Sequence, residues 1–159
     1  MNAQEQIYFW HQGNWIKLSG QAVWASIGHD GTIWVVNSGD QVYKRWGDDW
    51  QYVPGSCKQI YVSNADSITC VNAAGQVKAW EDGKWVVVSS TPAFAKIAVS
   101  SFRAAVATTA GGEIYYKPQL RSADKWQKVP GELRNVGISK DYIVGTNSVG
   151  NIYWLDLKK

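Results

Sequence analysis

Sulfur is scarce in this chain: two cysteines, Cys57 and Cys70, and a single methionine among 159 residues. Two cysteines cannot make a disulfide framework, and neither has a His or Cys neighbour at metal-ligand spacing, so free, buried thiols are the expected state. Phenylalanine is also rare, 3 residues against 10 Trp and 8 Tyr. Aromatics with a polar edge suit surfaces and interfaces better than a deep core. Charge of one sign is missing as well: 16 Lys and Arg against 13 Asp and Glu leave a net +3 without a basic run, the terminal Lys158 and Lys159 apart. A surface that tracks phosphates needs clustered Lys and Arg, so nucleic acid is set aside as a partner. The longest apolar runs, such as Val86-Val87-Val88, fall far short of the roughly 20 residues that cross a bilayer as a helix, and membrane insertion is not expected. The first residues, Met1-Asn2-Ala3-Gln4-Glu5-Gln6, are polar and lack the basic and then apolar layout of a secretory signal. A cytoplasmic location is therefore expected, with non-classical release left open.

What the chain has instead is a period. Trp15, Trp50, Trp85 and Trp126 lie 35, 35 and 41 residues apart, each after a short stretch rich in Gly, Asp, Asn or Lys. A second ladder keeps the same register: Asn37, Asn72, Thr109 and Asn147 each stand five residues before Val42, Val77, Ile114 and Ile152. The longer interval comes from a loop inserted at 118–125. Repeats of this length are read before any local structure, because they decide the fold.

Within a repeat the sequence breaks into four short runs of period-two alternation bounded by turn residues. In the second repeat these fall at 58–63, 67–72, 76–80 and 85–88, separated by Asn64-Ala65-Asp66, Ala73-Ala74-Gly75 and Glu81-Asp82-Gly83-Lys84. Four strands in about 36 residues match a propeller blade better than a solenoid coil or a barrel hairpin. The expectation is one all-β domain over 1–159, a β-propeller of four-stranded antiparallel blades with four repeats. Its innermost strands carry the pairs Ala25/Ile27, Ile60/Val62, Ile97/Val99 and Val136/Ile138 as core, alternating with small residues suited to a narrow channel.

The residues then resemble a known family. The pattern W-x-x-V-P-G, followed by I-x-V and V-N-x-x-G-x-I-Y, is similar to the tectonin repeat of slime-mould, fungal, fish-egg and horseshoe-crab lectins. The segments that carry it are Trp50-Gln51-Tyr52-Val53-Pro54-Gly55 with Ile60-Tyr61-Val62, and Trp126-Gln127-Lys128-Val129-Pro130-Gly131 with Val136-Gly137-Ile138 and Gly150-Asn151-Ile152-Tyr153. The first repeat has Leu18-Ser19-Gly20 and the third Val88-Ser89-Ser90 in place of Val-Pro-Gly. The resemblance implies a multivalent carbohydrate-binding protein without catalysis, in a family whose members take O-methylated sugars or lipopolysaccharide. A scaffold for protein or membrane-lipid contacts inside the cell is the alternative.

Strand counting leaves one strand over. Residues 7–10 (Ile7-Tyr8-Phe9-Trp10) stand 8 residues before Trp15, the spacing from Val42 to Trp50, and so form a fifth copy of the third strand. Closing the ring with the Trp15 strand would remove two exposed edges. A self-closed ring and a homo-oligomer formed by N-terminal strand exchange are both compatible with that count.

Catalysis has little support. The two histidines, His11 and His29, have no carboxylate or Ser at a triad or metal spacing. The acids Asp30, Asp48-Asp49 and Glu81-Asp82 lie in turns, where solvated loops are the simpler reading than a glycosidase pair. No metal and no cofactor is expected. Binding fits better, because a sugar needs aromatic faces for its C–H patches and short polar groups for its hydroxyls. Candidate ligand contacts are Trp34 and Trp80, which do not recur in every repeat, then Tyr43, Tyr115 and Tyr153 after the third-strand Val or Ile. The turns between first and second strands add His29, Asp30, Asn64, Asp66, Asp141 and Tyr142, all expected on one face of the ring.

Overall fold

The structure, a computed structural model, describes residues 1–100 and 103–158. It holds 17 strands and, among the described residues, no helix. The hairpin β1 (Gln6–His11) and β2 (Asn14–Gln21) stands first. Blade 1 is β3 (Trp24–Ile27), β4 (Ile33–Val36), β5 (Gln41–Trp46) and β6 (Asp49–Ser56). Blade 2 is β7 (Gln59–Asn64), β8 (Ser67–Val71), β9 (Val77–Glu81) and β10 (Lys84–Ser89). Blade 3 is β11 (Lys96–Val99), β12 (Ala105–Thr108), β13 (Glu113–Lys117) and β14 (Gln127–Glu132). Blade 4 has three strands, β15 (Asn135–Ile138), β16 (Tyr142–Thr146) and β17 (Ile152–Asp156). Each blade is an antiparallel meander in chain order. The expected four-bladed propeller with a surplus strand is therefore the observed arrangement.

The same turn opens every third strand. Asn37 Oδ1 accepts the Gln41 N–H at 2.9 Å, Asn72 Oδ1 accepts those of Ala74 and Gln76 at 3.1 and 2.9 Å, and Asn147 Oδ1 accepts those of Val149 and Asn151. Thr109 Oγ1 takes the role in blade 3. These are side chains replacing a backbone turn, the habit for which Asn is favoured there. Asn2 does the same for Gln4 and Gln6. It stands five residues before Ile7, so β1 and β2 are the outer half of a fifth blade rather than a stray extension.

Blades pack face to face. Trp34, Val36, Val42 and Val53 of blade 1 meet Ile60, Val62 and Ile68 of blade 2, all nearly or fully buried. Val71 and Val77 of blade 2 meet Ile97 and Val99, and Val106 and Ile114 of blade 3 meet Ile143 with Val136 and Ile138 beside it. Fully burying one such side chain contributes about 1.5–3 kcal/mol, so the layers between blades hold most of the apolar stabilisation.

The pair Ala25/Ile27, expected to be core like its counterparts, is exposed in blade 1, Ile27 at 64%. Ile60/Val62 and Ile97/Val99 are covered by the inner strands of the preceding blade. The hairpin packs Ile7 and Leu18 against Val35 but has no inner strands to lay over Ile27. Nor does β2 close the ring: β1–β2 and β15–β17 are separate sheets.

The repeating tryptophans lock each blade to the one before it. Trp50 donates its indole N–H to Ser19 O at 2.8 Å, and Trp126 donates to Ser89 Oγ at 3.0 Å. Trp85 lies on Gly55, whose φ is 130°; a Cβ there would stand 2.5 Å from Trp85 Cδ1. The Pro-Gly turn thus lets the backbone come up against the next blade's indole. Trp15 has the same place on its strand, but its described ring partner is Trp10 of its own hairpin, at 5.3 Å, and it is 66% exposed.

The cysteines are not free thiols. Cys57 and Cys70 form a disulfide with Cα atoms 5.8 Å apart. Cys57 occupies the link between outer strand and next inner strand, where Ala22, Phe94 and Leu133 stand in the other copies, each buried and each donating its backbone N–H to the second-to-third-strand turn of the blade just ended. That link points its side chain under the next blade, which brings Cys57 onto Cys70 of β8.

Two outcomes are expected. Reducing the disulfide, which closes 13 residues, should cost about 3 kcal/mol from loop-closure entropy, read as a lower urea midpoint with dithiothreitol, and Cys70→Ser should reproduce the loss. Gly55→Ala should destabilise by about 2 kcal/mol or more and Trp85→Ala by about 3–5 kcal/mol. Gly20→Ala should cost less than Gly55→Ala, because there the indole of Trp50 is 3.6 Å away, which is ordinary contact.

Candidate functional site

The turns between first and second strands all lie at one end of the ring, and the chemistry gathers there at the junction of blades 1 and 2. Asp30 Oδ2 accepts the Ala65 N–H at 2.7 Å and its Oδ1 accepts the Thr32 N–H at 3.0 Å. His29 donates its backbone N–H to Ser63 O at 3.0 Å, and Asn64 Oδ1 accepts the Asp66 N–H at 3.0 Å. The hydrogen bond from Ala65, followed by that from Thr32, holds the Asp30 carboxyl below the ordinary carboxylate value. One carboxylate therefore pins two neighbouring turns together, leaving His29 and Asp66 exposed around it. The sequence grouped His29, Asp30, Asn64 and Asp66, and the fold brings all four together.

Asp141 and Tyr142 stand at the same end on blade 4. Asp141 pairs with Lys158 at 3.0 Å, which raises the Lys158 ammonium above its ordinary value through that hydrogen bond. Tyr142 is exposed and packs its ring against Trp154 at 5.7 Å. In blade 3, residues 101 and 102 of the equivalent turn lie outside the described residues.

The aromatic candidates are placed otherwise. Trp34 is 2% exposed and stands between Trp80 and Trp85 at 5.6 and 6.0 Å. No sugar face can reach it: blade 1 turns this side toward blade 2, and the residue belongs to the inter-blade core. Trp80, half-buried, meets Trp85 edge-on at 5.0 Å. Tyr43 packs toward the hairpin and against Tyr52 at 5.6 Å, and Tyr115 against Phe94 at 5.7 Å. Tyr153 is half-exposed and lines a cleft between blades 3 and 4. The acids weighed for catalysis are dispersed, Asp48 beside Arg45 and Glu81 beside Arg121 of the inserted loop at 3.1 Å.

Two hollows escaped the reading of the sequence. The cleft between blades 3 and 4 has a volume of about 710 Å³ and is walled by Pro130, Gly131, Arg134, Asn147, Tyr153 and Leu155. Its signal was the absence of a fourth strand after β17. The central channel holds about 270 Å³ and is lined from all four inner strands, among them by Trp24, Gln59, Lys96 and Asn135. Lys96 lies over the Trp24 ring at 4.5 Å, so the channel takes larger side chains than the small residues of the inner strands suggested.

Residues 1–156 match the Tectonin domain. The chain belongs to that family. A curated relative, Tectonin-2 of Physarum polycephalum, is 39% identical over 44 residues, which are 28% of this chain and 12% of that one. Among solved structures the chain is similar to the computationally designed Ika8 protein, with a TM-score of 0.69 at 13% identity over 97% of this chain and 53% of that one. It is similar also to the WD40 β-propeller domain of Doa1, with a TM-score of 0.66 at 12% identity over 97% and 58%. The chain thus spans a small part of the curated relative and little more than half of either solved chain. As a tectonin-domain chain it has the blade order, the repeated Trp and the Asn-led turns in one register.

The Asp30 clamp has a pH signature. Because its folded-state value is depressed, its stabilisation is complete above the unfolded value near pH 4 and is lost as pH falls through the folded value. Asp30→Asn should therefore melt below the wild-type chain at pH 7, and the gap should close as the melts are repeated toward pH 3.

Proposed function

We propose that this tectonin-domain chain is a carbohydrate-binding protein that recognises surface glycans multivalently and without catalysis. The observation that carries the reading is the cluster at the blade 1–2 junction. There Asp30 fixes two turns through backbone bonds, and His29, Asn64 and Asp66 surround it as donors and acceptors already in place. Sugar hydroxyls desolvated on binding lose about 1–3 kcal/mol each unless such partners meet them. The exposed Tyr142 on the same end offers a ring for C–H packing.

O-methylated sugars and lipopolysaccharide are the glycan classes the family resemblance favours. A methyl ether turns a hydroxyl into an apolar group worth about 0.8 kcal/mol per buried carbon. Repeated turns, and association of copies, would raise avidity by about 10²–10⁴ on a dense surface. The buried Cys57–Cys70 disulfide suits surroundings more oxidising than the cytosol, so release from the cell fits this function better than retention.

The test is a glycan array followed by agglutination with competing free sugar. His29→Ala with Asp66→Ala, and separately Tyr142→Ala, should each lower the agglutination titre about tenfold or more with circular dichroism unchanged. Trp34→Ala should lose activity only by unfolding. Agglutination indifferent to every free sugar would remove the reading.

A further inference from the structure

The two ends of this propeller carry complementary halves of the same inter-blade joint. At the leading end, Ile27 of β3 is 64% exposed, and the hairpin beside it offers a tryptophan, Trp15, that rests on no turn. At the trailing end, Tyr142, Val144, Ile152 and Trp154 are 46, 46, 74 and 67% exposed. Val144 stands in β16 where Trp34 stands in β4, the residue that blade 1 buries against Ile60 and Val62. Gly131, with φ of 103°, stands where Gly55 receives Trp85, yet a Cβ on it would meet only Ile114 Cδ1 at 3.8 Å, and the one tryptophan lining the cleft of about 710 Å³ beside it is Trp154 of β17.

We propose that a second copy of this chain completes each of these joints: β15 and β16 of one copy and β1 and β2 of the other form a single four-stranded blade, and two such blades close one ring. In the composite blade Trp15 seats on Gly131. Tyr8 takes the place of Tyr153, since both follow the first apolar residue of a third strand. Val144, in the place that Trp34 has in β4, covers the second copy's Ile27. The strand that yields is β17, all but the last of whose five residues are exposed, and β1 then makes the ladder bonds to β16 that β17 makes in the single copy. Backbone pairing is conserved while apolar surface is buried on both copies, which is the condition for strand exchange at low cost.

Two is the smallest number of copies whose leading and trailing ends can pair reciprocally and leave no joint open. This inference is independent of the glycan reading.

Light scattering on the 159-residue chain decides it. A mass of about 35 kDa, twice the 17.7 kDa of the chain, is expected at micromolar concentration. Trp15→Ala and Ile27→Glu alter residues that are exposed in a single copy, so each should leave the monomer unfolding in one cooperative urea transition while weakening dimerisation at least about thirtyfold. A 17.7 kDa species throughout, whether open or closed on itself, would overturn the proposal. So would a dimer that both substitutions leave at wild-type affinity, since its interface would lie elsewhere.

Discussion

A four-stranded blade has two apolar faces and too little chain to cover either, so every blade depends on its neighbours. The exposed Ile27 and the buried Val62 and Val99 are β-branched aliphatic residues at matching places on inner strands. They differ only in whether a preceding blade supplies inner strands to cover them. Stability in such a stack is a sum of units and of joints between units. The tryptophan on the preceding blade's turn closes the layer in each of these joints, and in two of them it is directional as well, Trp50 donating its indole N–H to Ser19 O and Trp126 to Ser89 Oγ.

The disulfide reinforces one joint among equivalents. At the link into each blade the chain places Ala22, Cys57, Phe94 or Leu133, with the same backbone bond and the same burial. Phe94 fills its hole with a ring, stacked near Trp126 at 4.7 Å; Cys57 fills it with a covalent bond to the blade it introduces. The two solutions answer one requirement, that the crossing from outer edge to centre be anchored before the next meander begins.

Most of the fold was legible because it is periodic. Strand positions in the second repeat fall within a residue or two of those expected, and the surplus third strand exists as a strand. The polar half of the candidate site was legible too, since His29-Asp30 and Asn64-Asp66 occupy equivalent turns that the ring brings side by side. The aromatic half was not: whether Trp34 faces a ligand or a neighbouring blade depends on which side of the sheet is covered, and alternation alone does not say. The cysteines misled for a similar reason. Their 13-residue separation carries no sign of pairing until the link and β8 are stacked. Asn2 was the missed sign that the hairpin is half a blade, for it repeats the five-residue step to Ile7.

One side chain at the centre sets the angle between two blades. Gln59 donates its amide to Ile97 O at 3.0 Å and accepts the Ile97 N–H at 3.0 Å, joining β7 to β11 as a neighbouring strand would. An amide reaching across the gap makes both bonds only when the two strands stand at one separation and one offset. The junction of blades 2 and 3 thereby behaves as a fixed corner. The junction of blades 1 and 2 reaches the same end by four separate bonds: Trp24 to Ile60 O, the Val62 N–H to Ser26, the His29 N–H to Ser63 O and the Ala65 N–H to Asp30. The distance between His29 and Asn64 is therefore set by the frame of the ring before either group meets anything.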